Sequence, residues 1–262
     1  MSFVALGIGG LMIAGGAYLS FVQKKKTEGL VTELKFMKAV SLAELKDSWQ
    51  SLADEGMSEG FRDLVETNGK ADTDGEVKAP YSNVPCAYFE ATVTREFEKE
   101  ERSTDKDGKV QTKRTRSSEV VSSRKSPSPL YIADGDVRVG VDMDGATLHL
   151  KDGEDRFEPY ESNKTYTFFG VQFSAPSGVR TLGFRYKEKL IPLGHPLYVV
   201  GEARNSAGAL RIGRSSEKGK PFIVSVKSED EVIADMKGSA KAAFYLGIAL
   251  MIGGAAVAVF FR

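Results

Sequence analysis

The chain has 262 residues, and its 36 Lys and Arg balance its 36 Asp and Glu, so the formal net charge is zero. This balance gives no whole-chain reason to expect nucleic acid as a partner. One cysteine excludes an internal disulfide, and with two histidines the chain falls one ligand short of a four-coordinate Cys/His zinc site. We therefore expect no metal site, no cofactor and no RING finger.

Two stretches, residues 3–22 and 242–261, contain no charged residue. At about 1.5 Å per residue, each is long enough to cross the ~30 Å hydrocarbon core of a bilayer. The first lacks the basic start and the small-residue cleavage site of a signal peptide, so we expect it to be retained. The sequence thus predicts two transmembrane helices and the lipid bilayer as a partner.

Both apolar stretches are rich in small residues at i, i+4 spacing, which favours close helix packing. The packing could be intramolecular or between copies, so a homo-oligomer is one expectation. Alternatively, glycine is simply common in transmembrane helices. The candidate packing residues are Gly10, Ala14, Gly16, Ser20, Ala249, Gly253, Gly254 and Ala258.

Residues 23–68 are predicted to form a helical arm or linker. Apolar residues near helical spacing predict one helix over Leu30–Ala53, and Ser41–Glu44 resembles a capping box. Phe61–Val65 is predicted as a further short helical turn, and the segment from residue 69 to residue 80 is rich in turn residues.

The β pattern begins at Cys86. Cys86–Phe97 and Lys109–Ser123 alternate β-branched or aromatic residues with polar ones, on either side of the turn dipeptide Asp107-Gly108. Eight Lys or Arg and six Asp or Glu lie between Arg95 and Arg116. A strand pair so polar on both faces cannot be buried, so we predict a projecting hairpin near residues 95–123.

Further short strands are predicted between turn signals in the rest of the chain. They indicate an α+β fold: a β-rich, compact antiparallel domain, barrel- or sandwich-like, over residues 69–235, with an N-terminal helical arm and a transmembrane helix on each side. These strands are Leu130–Ile132, Val137–Val141, Thr147–Leu150, Tyr166–Phe169, Arg180–Tyr186, Leu197–Glu202, Ala209–Ile212 and Phe222–Val226.

No motif predicts a catalytic site. Three Asp-x-Asp-Gly stretches, ending at Gly75, Gly108 and Gly145, lack the ligands of a calcium loop at their other positions and are predicted to be turns. His149 and His195 have no partner cluster, so we expect surface or cross-strand roles. Cys86, at the start of an apolar strand, is expected to be a buried and inert thiol.

Four segments in order resemble a known family. Ala79–Tyr88 (APYSNVPCAY) resembles the opening of the GIDE domain, also called BAM, "beside a membrane". Leu130–Asp134 and Val137–Gly145 are similar to its central stretch, although the first of these begins with Leu rather than Phe. Tyr186–Ala203 contains YKE, LIPLG and LYVVGEA, and Pro221–Glu229 (PFIVSVKSE) resembles the ending. The resemblance covers residues 56–235.

The resemblance implies a module beside the membrane. The best-known members are mitochondrial and chloroplast membrane ubiquitin ligases, whose activity lies in a RING beyond the second span, while prokaryotic members without a RING also exist. Since this sequence stops at Arg262, we expect a RING-less, non-enzymatic member. The family-motif positions, expected to be structural, are Pro80, Tyr81, Pro85, Cys86, Tyr88, Asp134, Gly201, Glu202 and Ser225.

Two of these positions leave an alternative open. Gly201-Glu202, after an apolar strand, indicates either a tight bend with a buried, hydrogen-bonded carboxylate or a ligand contact. A lone carboxylate lacks the convergent partners of a site, which favours the structural interpretation. Pro80 and Pro85 predict a rigid turn between them.

Three functions compete. The leading hypothesis is a two-span membrane protein whose β domain binds an unknown protein partner at the bilayer surface; the alternatives are an oligomerising effector that permeabilises or remodels the bilayer, and a ligase-like enzyme. Five Lys lie near the span ends on the domain side, against Arg262 on the other. The positive-inside rule therefore favours a cytoplasmic domain, with the periplasm or intermembrane space as the alternative.

Overall fold

The computed structural model describes residues 3–104, 110–176 and 178–260. Four α-helices are present in this part of the chain: α1 (Phe3–Ala17), α2 (Lys24–Phe36), α3 (Leu42–Asp54) and α4 (Glu229–Phe260), with a π-helical turn at Tyr18–Gln23. The strands are β1 (Arg62–Thr73), β2 (Cys86–Thr104), β3 (Val110–Lys125), β4 (Leu130–Asp134), β5 (Val137–Val141), β6 (Thr147–His149), β7 (Lys151–Pro159), β8 (Tyr166–Phe168), β9 (Val171–Phe173), β10 (Arg180–Pro192), β11 (Pro196–Ser206), β12 (Ala209–Gly213) and β13 (Ile223–Ser225).

The strands form three sheets. The largest has the order β1-β4-β5-β12-β11-β13-β6, and β1 also pairs with β11, which makes its first five strands barrel-like. A four-stranded sheet has the order β3-β2-β10-β7, and β8 pairs with β9. The predicted β-rich fold with an N-terminal helical region is confirmed.

The expectation of two transmembrane helices is not confirmed. Among the described residues, one helix, α4, is long and apolar enough to cross a membrane. The first apolar stretch is divided between α1, which has 15 residues, and the six-residue π-helical turn at Tyr18–Gln23.

The described chain divides into two compact units. The first, here called the helical unit, comprises residues 1–68, 144–149 and 198–262, and the second, the hairpin unit, comprises residues 69–143 and 150–197. In the helical unit, β11 pairs antiparallel with β12 and β13, and β6 runs parallel to β13. One of its apolar clusters joins α2, β11 and α4 through Leu34, Tyr198, Val200 and Val232.

The single helix predicted over Leu30–Ala53 is wrong, because α2 ends at Phe36 and α3 begins at Leu42. The predicted capping box is present: the Ser41 hydroxyl accepts from the Glu44 backbone N–H, and the Glu44 carboxylate accepts from the Ser41 N–H. Between the helices, the Val40 N–H donates to the Glu66 carbonyl at 2.8 Å. This contact with a distant strand replaces a helical hydrogen bond and separates the two helices.

The helical turn predicted at Phe61–Val65 is also wrong, because β1 begins at Arg62. Val65, Glu66 and Thr67 are all buried in this strand. The extended strand at this position lets Glu66 form a parallel β-bridge with Ala39. A helical turn would not allow this bridge.

The hairpin unit is organised around β2 and β3, whose antiparallel register runs from Glu90 opposite Lys125 to Thr104 opposite Val110. Cross-strand ion pairs follow this register, such as Arg114 with Glu100 at 2.9 Å. They place opposite charges side by side along the two strands. The predicted turn at residues 105–109 lies outside the described residues.

Strand β10 contributes to an aromatic cluster in the hairpin unit. Phe184 is fully buried, and its ring lies 4.6 Å from Tyr166 and 4.9 Å from Phe168 by centroids. Tyr186 and Val93 complete this cluster.

Candidate functional site

The predicted turn between Pro80 and Pro85 caps a buried carboxylate. The Tyr81 backbone N–H donates to Glu188 Oε2 at 2.8 Å, and the Ser82 hydroxyl donates to Glu188 Oε1. Only 2% of Glu188 is exposed. Asn83 has φ of 57°, a left-handed conformation that asparagine tolerates in turns. The motif thus positions two consecutive donors on one acid of β10.

The surroundings of Glu188 are closed and apolar. The Tyr81 ring stacks on Phe169 at 6.0 Å and meets Tyr186 edge-on at 5.4 Å. A side-chain carbon at Gly153 would lie 2.7 Å from Glu188 Oε1, so a larger residue there would displace the carboxylate. The hydrogen bonds from Tyr81 and Ser82 tie the turn to β10 through this carboxylate.

Cys86 begins β2 next to this turn and is fully buried. Burial, followed by the charge of Glu188, raises the pKa of Cys86 to about 11. The thiol is therefore protonated at neutral pH, and a protonated, buried thiol is a poor nucleophile. Burial and then Glu188 likewise raise the pKa of Tyr81 to about 12.

Glu202 lies in the middle of β11 in the helical unit, so no tight bend occurs at Gly201-Glu202. Its carboxylate is 6% exposed and accepts from the Ser215 hydroxyl at 2.8 Å and from Arg62 at 3.2 Å. Burial alone would raise the pKa of Glu202, but the Ser215 and Ser216 hydrogen bonds and the charge of Arg62 lower it below its usual value. Gly201 packs against the Gly213 carbonyl, where an added side-chain carbon would lie 2.8 Å away.

The other family-motif positions do not converge on either carboxylate. Pro80, Pro85 and Asp134 are exposed. The Tyr88 hydroxyl donates to Glu90 at 3.0 Å, and the Ser225 hydroxyl accepts from the Lys227 N–H at 2.9 Å. These positions shape turns and strand ends separately.

Helices α1 and α4 approach each other through glycine. A side-chain carbon at Gly9 would lie 2.7 Å from the Gly254 carbonyl oxygen, and one at Gly16 would collide with the Gly247 carbonyl. The Ser20 hydroxyl donates to the Phe244 carbonyl at 3.1 Å. The contact is therefore intramolecular and requires residues without side chains.

The structure uses some of the predicted packing residues and not others. Gly16, Ser20 and Gly254 are buried in this contact, whereas Gly10, Ala14 and Ala249 are exposed. A side-chain carbon added at Gly253 would lie 3.3 Å from Met12, and one added at Gly9 would lie 3.3 Å from Ala258. Gly9 and Gly247, which the i, i+4 search did not select, take the main positions.

Sequence reasoning also missed an acidic pair. Glu66 is 3% exposed, and burial, followed by the negative charge of Glu229, raises the pKa of Glu66 to about 7. The same surroundings raise the pKa of Tyr198, chiefly through burial and then through Glu66. A glutamate within an apparently helical segment carries no local signal of this environment.

The two histidines lie apart. His149 Nδ1 is 3.8 Å from Asp235 Oδ2, and burial lowers the pKa of His149 despite the opposing charge of Asp235. The His195 Nδ1 faces the Pro196 carbonyl at 2.8 Å. Within residues 3–104, 110–176 and 178–260, no group of three or more His, Cys, Asp or Glu side chains could hold a metal ion.

The hairpin unit has an open polar groove of about 450 Å³ across β3, β2 and β10. Ser117 and Ser118 line one side, and Arg185 lines the other. Arg185 is held by Glu96 and Asp155, each at 3.0 Å. The groove lies beside β3, which is the edge strand of its sheet, so it is the candidate surface for a partner.

Comparison with known proteins identifies a family and two relatives. The GIDE family, described as E3 ubiquitin ligase, matches residues 98–260, which is more than half of the chain. The chain is 33% identical over 129 residues to E3 ubiquitin-protein ligase SPL1 of Arabidopsis thaliana, covering 48% of this chain and 37% of that protein. It is 28% identical over 176 residues to E3 ubiquitin-protein ligase SP1 of the same organism, covering 66% of this chain and 47% of that one.

The matched regions span less than half the length of either relative. No solved structure matches the chain. The family match includes the end of β2, the strands from β3 onward, among them the motif strands β10 and β11, and the apolar helix α4. The chain belongs to the GIDE family.

Proposed function

We propose that this protein is a non-enzymatic, two-span membrane protein whose β-rich part binds a protein partner at the membrane surface. The edge strand β3 carries this proposal. Nine consecutive residues, Thr112–Val120, are exposed along it. An edge strand presents unpaired backbone N–H and C=O groups, to which an extended segment can add as a further strand.

The charge of this edge defines the partner's chemistry. Lys113, Arg114 and Arg116 lie on the exposed part of β3, with Glu119 as the acid on the same stretch. Glu100 and Glu98 pair with these two arginines, and Glu119 pairs with Arg95. Among these residues, Lys113 therefore gives the edge one net positive charge. An extended acidic segment of another protein fits it.

A photo-reactive amino acid at Ser118, in the full chain in native membranes, tests the partner site. We expect a discrete crosslinked species that weakens when Arg116→Glu reverses the charge of the edge. The matched control is the same reagent at Ser51, which is exposed on α3. Equal crosslinking from both positions, or indifference to Arg116→Glu, would contradict an acidic partner at β3.

The two-span topology is part of the proposal. It is supported by the uncharged stretch 3–22 and by the glycine contact between α1 and α4. Five Lys on the domain side favour a cytoplasmic domain. Because Cys86 is buried, a Ser118→Cys variant supplies an accessible thiol for a labelling experiment. The label is an impermeant maleimide, added to intact cells whose outer membrane has been permeabilised. Labelling of this thiol would overturn the cytoplasmic placement.

A ubiquitin-ligase role is a second candidate, favoured by the names of the two Arabidopsis relatives. One Cys and two His in 262 residues cannot supply the zinc ligands of a RING. We therefore propose that the 262-residue chain does not itself transfer ubiquitin and functions alongside a ubiquitin ligase. Ubiquitin conjugation in a reaction of purified chain with activating and conjugating enzymes would refute this.

The bilayer-permeabilising alternative has one supporting observation. Gly10, Ala14 and Ala249 stay exposed on α1 and α4, which leaves small residues for contact between copies. Dye release from vesicles on addition of the chain would favour this function. Intact vesicles together with a Ser118 crosslink would favour partner binding.

A further inference from the structure

Lysines converge on a groove between α2 and α4. The groove has a volume of about 460 Å³ and is lined by Lys24 and Lys35 from α2 and by Lys237 and Lys241 from α4. Glu28 is the acid among its lining residues. We call it the α2–α4 groove.

The charges in this groove are poorly compensated. Lys24 lies 3.8 Å from Glu28 and 4.5 Å from the centre of the Phe244 ring. In the described part of the chain, Lys35, Lys237 and Lys241 have no ion-pair partner. Four cations facing one carboxylate repel one another, and a bound anion would relieve that repulsion.

The groove lies where a bilayer surface would be. Lys241 directly precedes the uncharged stretch that begins at Ala242, and Lys237 is about 7 Å before that stretch along the helix axis. The polar headgroup layer on each side of a bilayer is roughly 5–8 Å thick. If α4 spans the membrane, Lys241 and Lys237 therefore lie at the depth of lipid phosphates.

The lining of the groove also has an apolar part. Val31 and Ala240 form its floor and are largely buried, and lysine stems can cover apolar surface while their ammonium groups reach a polar ligand. A ligand with an anionic head and an apolar body matches this combination.

We propose that the α2–α4 groove binds a phosphate group of the kind carried by anionic phospholipid headgroups. The proposal rests on the membrane placement given above, and it is independent of partner binding at β3. The lysines supply charge-assisted hydrogen bonds to the phosphate oxygens.

The experiment uses the full chain in nanodiscs of phosphatidylcholine with a minor fraction of phosphatidylglycerol. After gentle detergent extraction, mass spectrometry quantifies the phosphatidylglycerol that stays bound. Lys237→Gln/Lys241→Gln removes two groove cations. The matched control, Lys25→Gln/Lys26→Gln, removes two neighbouring lysines that do not line the groove.

If the α2–α4 groove is a specific phosphate site, the groove variant should retain about tenfold less phosphatidylglycerol, because charged hydrogen bonds are lost. The control variant should retain as much as the parent. An equal loss in both variants would show general attraction of a basic surface and would overturn the site, as would retention unchanged by either variant. In a second arm, glycerol 3-phosphate is titrated into the same nanodiscs. Displacement of the lipid supports phosphate recognition. Binding of glycerol 3-phosphate without lipid retention would overturn the proposal that the phosphate belongs to a lipid. Failure of the chain to enter nanodiscs would instead refute the membrane placement itself.

Discussion

Replacing Glu66 by glutamine should stabilise the protein, and the gain should grow as the pH rises from about 5 to about 8. Glu66 is buried in β1, with Glu229 and Tyr198 as neighbours. Burial first, and then the negative charge of Glu229, raises its pKa from 4.5 to about 7. The folded protein thus binds this proton more tightly than the unfolded chain does, so stability falls as the pH rises from 4.5 towards 7.

The size of the effect follows from that shift. About 2.5 pKa units at 1.36 kcal/mol each correspond to a penalty of about 3 kcal/mol above pH 7, and to less than about 1 kcal/mol at pH 5. Glutamine has nearly the shape of the protonated acid and carries no charge at any pH. The Glu66→Gln variant therefore avoids the penalty and gains about that much at pH 8.

Thermal unfolding of the full chain in detergent, followed by circular dichroism at pH 5 and pH 8, measures the difference. The midpoint of Glu66→Gln should exceed that of the parent at pH 8 and approach it at pH 5. Glu59→Gln, at an exposed position just before β1, is the control and should change neither midpoint. A variant that is less stable than the parent at pH 8, or equally stabilised at both pH values, would refute the reasoning.

Three other substitutions test the remaining contacts. Glu202→Ala should lower the free energy of unfolding by about 1–3 kcal/mol, because the Ser215 hydroxyl loses its acceptor; an unchanged thermal midpoint with lost partner crosslinking would favour a ligand contact instead. Gly247→Leu should lower the thermal midpoint by overpacking the α1–α4 contact, at a cost of about 1–3 kcal/mol, whereas Gly238→Leu, on the same helix with no atom near its added carbon, should not. Replacing Ser103–Lys109 by Asn-Gly should leave the midpoint unchanged, since loop tips tolerate such changes; a large drop would show that the tip packs into the core.

Local patterns predicted the features that depend on local chemistry. The capping box at Ser41 and the pairing of the hairpin arms both follow from residue types at fixed spacings. The missed strand β7 (Lys151–Pro159) is mostly charged and exposed, so it has no hydrophobic alternation, and its pairing with β10 defines it.

The candidate site depended on distant contacts that spacing alone does not contain. Glu188 is recognisable as a buried hydrogen-bond acceptor only when the Tyr81 turn is placed beside β10. Glu66 is recognisable as a buried acid only when β1 is known to be a strand. In the apolar helices, the i, i+4 spacing selected Gly16, Ser20 and Gly254 but not Gly9 or Gly247. The contacting glycines, Gly9 with Gly16 and Gly247 with Gly254, are seven residues apart, which is the repeat that keeps one face of a helix turned to its partner.

The glycine contact between α1 and α4 has a consequence for biosynthesis. Gly9 and Gly254 are separated by 245 positions in the sequence. At roughly 5–20 residues per second, the ribosome completes α4 about 12–50 s after α1 has emerged. If α1 spans the membrane as proposed, its glycine face has no cognate helix throughout that interval, and lipid or an insertion factor must cover it. Substitutions there would then affect how much protein accumulates in the membrane, as well as the stability of the finished molecule.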